Sequence, residues 1–77
     1  MEKLRSIMSK ILKMDKKDIN EKVSRSNTEE WDSFNHLLLI SEIEKEMKIK
    51  FTIQEVEQIR TFKDFIEIVT KKERQRL

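Results

Sequence analysis

The sequence predicts an all-α fold: a small bundle of four helices with a long first loop and a short third helix. Three observations predict it. The 77 residues contain no glycine and no proline, so the usual helix breakers are missing, while Lys, Glu, Ile and Leu abound. Apolar residues recur in several segments at the i, i+3, i+4, i+7 spacing of a helical face. Finally, Thr52 with Glu55 and Thr61 with Asp64 have the spacing of capping boxes, which mark helix starts directly.

Leu4, Ile7, Met8, Ile11 and Leu12 share one helical face, with Lys3, Arg5, Lys10 and Lys13 off it, which predicts a first helix over residues 2–14. From Asp15 to Trp31 the pattern dissolves. Ile19 and Val23 stand as isolated apolar anchors beside a Ser24-Arg25-Ser26-Asn27-Thr28 stretch typical of loop. A loop this long in so small a chain should pack through those anchors or contain a short helical turn. The second helix opens at Asp32-Ser33, whose short polar side chains suit a helix start. His36, Leu39, Ile40, Ile43 and Met47 then form its stripe, which runs to about Lys48. The box at Thr52 opens the short third helix, with Val56 and Ile59 as its buried positions. The box at Thr61 opens the last, which buries Phe62, Phe65, Ile66 and Val69. Lys71 to Leu77 is expected to be a frayed basic end, and residues 1–77 are expected to form a single domain.

A chain of this length builds one modest core and little else. Without cysteine, neither a disulfide framework nor a thiolate metal site can hold it together, so packing must do so, and the redox compartment stays open. The longest apolar run, Leu37 to Ile40, falls far short of the ~20 residues a membrane span needs, so no membrane insertion is expected. The absence of glycine excludes a nucleotide-binding loop, and one histidine with no cysteine makes a zinc site untenable. Ser33 and His36 lie one turn apart and resemble a nucleophile with its base. Such a pair needs an orienting partner and an oxyanion hole, neither of which a helix end on a small bundle supplies, so no catalytic residue is assigned. Formal net charge is only +2, yet residues 1–17 carry six basic and two acidic groups and residues 28–51 three basic and six acidic. Partners should therefore meet differently charged faces.

The segment Glu30-Trp31-Asp32-Ser33-Phe34 resembles the attachment site of acyl and peptidyl carrier proteins, in which the serine of an Asp-Ser-hydrophobic motif begins the second helix and is modified. Leu39, Ile43, Met47 and Phe51 sit where that family buries apolar residues. Val56, Ile59, Thr61, Phe62 and Asp64 look like its short third helix and the hinge into the fourth, so the resemblance covers residues 2–70 without a gap. It implies a carrier that is no enzyme, bearing covalent 4'-phosphopantetheine on Ser33, with Asp32 capping the helix and helping a phosphopantetheinyl transferase to dock. It implies coenzyme A as donor, acyl-loading and acyl-processing enzymes as partners, a monomer and a cytoplasmic location. The family's acyl chain can fold back between the helices, where Phe34, Leu39, Ile43, Val56, Ile59 and Phe65 would line its path. A helix N-terminus also suits a phosphodiester, because it offers free N–H donors and partial positive charge.

One departure bears on partners. Asn35 and Leu38 stand where many family members carry acidic groups, leaving Glu42, Glu44 and Glu46 on the second helix. Leu37 and Leu38 beside His36, with Glu42 and Glu44, are the candidate recognition residues, and they point to a fatty-acid, polyketide or related specialised pathway outside the housekeeping synthase. The rival reading is an unmodified interaction module whose basic first helix contacts nucleic acid or a membrane surface. Two features count against it and against nucleic acid as a partner: the first helix's apolar stripe is needed for the core, and the acidic middle repels phosphates. The acidic Glu2 likewise argues against reading residues 1–14 as a targeting segment.

Overall fold

Local sequence signals decide where each helix starts, and the computed structural model, which describes residues 2–75, shows four helices: α1 (Glu2–Leu12), α2 (Ser33–Met47), α3 (Ile53–Gln58) and α4 (Phe62–Gln75). The all-α bundle is confirmed. α3 begins with the expected capping box, in which the Thr52 hydroxyl accepts from the Glu55 N–H at 3.1 Å and the Glu55 carboxylate accepts from the Thr52 N–H at 2.9 Å. α4 repeats the device with Thr61 and Asp64, and the Asp64 carboxylate also takes the Arg60 N–H at 2.9 Å.

Helix ends follow a different rule. α1 stops at Leu12 instead of residue 14 because Lys13 turns left-handed, with φ 56°, and the Met14 N–H folds back to the Ser9 carbonyl at 3.1 Å. α2 ends in the same way. Lys48 has φ 56°, and its own N–H and that of Ile49 both return to the Glu44 carbonyl. These are the positions glycine usually takes, and lysine fills both. At the other end of the chain α4 continues through Gln75, correcting the expectation of fraying from Lys71; Arg76 and Leu77 lie outside the described residues. The extension has a cause: Lys72 bonds Glu55 of α3 at 2.8 Å and sits 5.8 Å from the Phe51 ring, while Lys72 and Arg74 complement the negative end of the helix.

The core gathers Leu4, Ile7, Met8 and Leu12 from α1, Leu39, Ile40 and Ile43 from α2, and Phe62, Phe65 and Val69 from α4. Because α1 spends its apolar face there, the rival reading loses the surface it would need. Ile59 closes the core, Ile49 is buried, and Val56, Ile66, Met47 and Phe51 are only partly buried, so Val56 and Ile66 are corrected from buried positions to flanking ones. α3 is a single short span between two caps, too short to turn a whole face inward.

The long loop does both things expected of it. It forms a 3-10 turn at Lys16–Asp18, and Ile19 and Val23 are buried anchors. Arg5 Nε holds the Ile19 carbonyl at 3.1 Å. Further along, the loop is laced to the hinge between α3 and α4. Ser24 pairs with Thr61 in an antiparallel bridge, the Arg25 N–H donates to the Arg60 carbonyl at 2.9 Å, and the Phe62 N–H donates to the Val23 carbonyl at 3.0 Å. The loop is thereby delivered to the start of α2.

Candidate functional site

Asp32 sets the start of α2. Its carboxylate accepts from the Asn35 N–H at 2.8 Å and its carbonyl from the His36 N–H at 2.8 Å. Asn35 answers by donating its side-chain amide to the Glu30 carbonyl at 2.6 Å, which clamps the entry to the helix. Ser33 is therefore the first helical residue, exposed, with its hydroxyl at the positive end of α2. Its one hydrogen-bond partner among the described residues is Arg25, whose Nη2 lies 3.4 Å from Oγ.

His36 is 4 % exposed and not part of a recognition face, which corrects that assignment and leaves it on the buried stripe that its spacing also predicts. Its Nδ1 accepts the Trp31 indole N–H at 2.9 Å, so Nε2 carries the ring proton and donates it to the Val56 carbonyl at 2.7 Å. Burial holds its pKa below the ordinary histidine value; the Val56 carbonyl opposes that shift, and the charges of Arg25 and Arg60 add to it. A neutral ring with both nitrogens committed offers Ser33 no free lone pair, so the nucleophile-base pair is structurally absent.

Trp31, which sequence reasoning noted only as a motif letter, is the pivot beneath the site. It is 2 % exposed, with its ring inclined 14° to that of Phe65 at 5.9 Å and 28° to that of His36 at 6.0 Å. Sequence also gave no sign of Arg25, because its approach to Ser33 depends on how the loop is laced to the α3–α4 hinge. The Ser-rich character of residues 24–28 showed only that a turn would form there.

Of the residues expected along the acyl path, Leu39, Ile43, Ile59 and Phe65 are fully buried together, and Val56 is half-buried at their edge. Phe34 is corrected: it is 71 % exposed, since the position after Ser33 on the first turn of α2 faces away from the bundle. Phe34, Leu37 at 60 % and Leu38 at 39 % form an exposed apolar strip along α2. Leu38 and Glu42 reach a groove shared with Lys3, Ile7, Lys10 and Ile11 of α1. Glu44 turns inward instead, its carboxylate accepting from the Phe51 N–H at 2.9 Å, so it is occupied in closing the α2–α3 connection.

A family model described as the phosphopantetheine attachment site matches residues 2–69. The chain belongs to this family. 4'-Phosphopantetheine, attached covalently to a serine, is accordingly its prosthetic group. The fold is similar to that of a chain from Mycobacterium tuberculosis described as an acyl carrier protein, with a TM-score of 0.81, 25 % identity, and coverage of 90 % of this chain and 92 % of that one. No curated protein matches the chain. The residues at the start of α2 fit the family's group: an exposed serine hydroxyl, first-turn N–H groups of Ser33 and Phe34 without partners among the described residues, and a guanidinium beside the oxygen.

Proposed function

We propose that the protein is an acyl carrier, not an enzyme, and that Ser33 is the residue modified. The observation that carries this reading is the placement of Ser33: an exposed hydroxyl at the first residue of α2, in a chain of the phosphopantetheine attachment family. A phosphopantetheinyl transferase would activate the hydroxyl against coenzyme A. The Ser33 oxygen forms the new O–P bond as the pyrophosphate bridge of coenzyme A breaks, the adenosine bisphosphate half leaves, and the hydroxyl proton passes to the transferase. Asp32 keeps that hydroxyl in place by capping the helix, and its exposed position leaves it free to meet the transferase. When bound, the group supplies a terminal thiol that holds an acyl unit as a thioester, and on a cysteine-free chain that thiol has no competitor. Tethering keeps the carried intermediate at high local concentration beside each enzyme while the carrier lowers no barrier itself.

The exposed Leu37 and Leu38, with Glu42, give the recognition face a more apolar character than acidic carriers present. This supports partners in a dedicated fatty-acid, polyketide or related pathway. We place this single-domain, monomeric carrier in the cytoplasm, where coenzyme A is available; among the described residues no helix is long and apolar enough to cross a membrane.

Incubating the chain with coenzyme A, magnesium and a broad-specificity transferase, then reading the intact mass beside a Ser33→Ala control, tests the assignment. One phosphopantetheine addition that vanishes in the control is expected. An unmodified mass from folded protein would reduce Asp32-Ser33 to a helix cap. Pathway choice has its own test: efficient elongation on this carrier by a generic fatty-acid ketosynthase would overturn the dedicated-pathway assignment.

A further inference from the structure

We infer that Arg25 is the phosphate-binding residue of the attached arm, its guanidinium taking a non-bridging oxygen of the phosphodiester on Ser33 and fastening the near end of the arm to the first loop. The inference rests on Ser33 as the attachment point.

Arg25 Nη2 already stands 3.4 Å from Ser33 Oγ. That separation is longer than a strong N–H···O bond of ~2.9 Å. A non-bridging phosphate oxygen would stand two bonds beyond Oγ, and the guanidinium beside Oγ would be the group to meet it. The bond it would accept there carries charge on both donor and acceptor, whereas the neutral hydroxyl leaves the charge on the donor alone.

The guanidinium is also held where it is needed. The Arg25 backbone is pinned to the Arg60 carbonyl at 2.9 Å, and its neighbour Ser24 is bridged to Thr61. On the loop side, the Ser24 N–H donates to Asn27 Oδ1 at 3.0 Å and the Asn27 amide to the Lys22 carbonyl at 2.8 Å. Only the side chain is left to adjust.

Among the described residues no carboxylate stands within ion-pair distance of it. The ion pairs found among the described residues join Arg5 to Glu2 and Lys72 to Glu55, and neither involves Arg25. The nearest acid in sequence to Ser33, Asp32, spends Oδ1 on the Asn35 N–H. Arg25 therefore carries an unneutralised charge beside a residue about to receive a phosphodiester anion. Arginine suits the task better than lysine, because its planar fork can engage two oxygens at once and never loses its charge.

The test compares apo and holo forms of the full chain as wild type, Arg25→Lys, Arg25→Gln and Arg25→Ala, with Trp31 emission confirming the fold. In wild type, the Arg25 Nε–H resonance should shift between apo and holo, and the 31P resonance of the holo form should differ from that of Arg25→Gln and Arg25→Ala. Arg25→Lys should restore part of the 31P difference. Identical 31P shifts in folded wild type and Arg25→Gln, with no apo-to-holo movement of the Arg25 resonance, would overturn the inference while leaving the attachment intact. Failure of wild type to gain the arm by mass would instead overturn the attachment, and this inference with it.

Discussion

Protonating His36 in the folded protein would put a proton on Nδ1, where the Trp31 indole N–H already donates. Two donors would then face each other in a buried site. The folded pKa is held below the unfolded value, so the unfolded chain takes up the proton first as pH falls. Stability attributable to this group is complete above about pH 6.5 and declines as pH drops through the depressed folded pKa. Urea midpoints followed by Trp31 fluorescence should fall across that window, and the fall should flatten in His36→Gln. Asp32 makes a separate contribution. Asp32→Ala removes the cap from α2 and should cost about 1 kcal/mol in urea unfolding, whereas Asp32→Asn should cost a few tenths at most. Asp32 was legible because a cap is read from residues three apart. His36 was legible only in part: its spacing placed it on the buried stripe while its polarity drew it toward a recognition role, and the Trp31 and Val56 partners that make burial tolerable lie five and twenty residues away.

The helices show the same division between local and distant causes. Both capping boxes appeared at the expected residues because each is closed by its own two side chains. The end of α1 was missed by two residues, since the residue that turns left-handed there is a lysine instead of the glycine a reader looks for, whereas the apolar stripe did mark the end of α2 near Lys48. The persistence of α4 to Gln75 depends partly on Lys72 reaching across to α3, a contact no periodicity reports. At its far end Glu55 feels opposing influences: burial pushes its carboxyl up, but the bond from Lys72 and those from the Thr52 N–H and hydroxyl outweigh it and hold the group below its ordinary value. Thr61→Ala opens the box that starts α4 while leaving the backbone bridge to Ser24 intact, so it should cost about 1 kcal/mol in chemical denaturation. Thr52→Ala, at the start of a six-residue helix, should cost no more than that.

At the scale of the molecule, one aromatic group joins the core to the site. Phe65 meets Trp31, His36 and Phe51 within about 6 Å, linking α4 to the segment beneath Ser33. Its replacement by alanine typically costs about 3–5 kcal/mol. A domain of this size holds about 4–12 kcal/mol in all, so Phe65→Ala should remove a large share of the stability and lower the calorimetric midpoint by about 12 °C or more. Leu37 should behave in the opposite way. Leu37→Glu on the exposed strip should leave the urea midpoint within about 0.5 kcal/mol of wild type while changing kcat/KM for enzymes that engage the arm. The two left-handed lysines, Lys13 and Lys48, show that this chain has not been driven to its conformational optimum. A left-handed residue bearing a Cβ costs about 1–2 kcal/mol, and the greater freedom of glycine when unfolded cancels part of the relief, leaving roughly 0.5 kcal/mol to be gained at each position. Such unclaimed stability is a reserve on which evolution or an engineer can draw: a Lys13→Gly, Lys48→Gly background could absorb a harmful change at the carrier's surface, so that new partner specificities become reachable without first repacking the core.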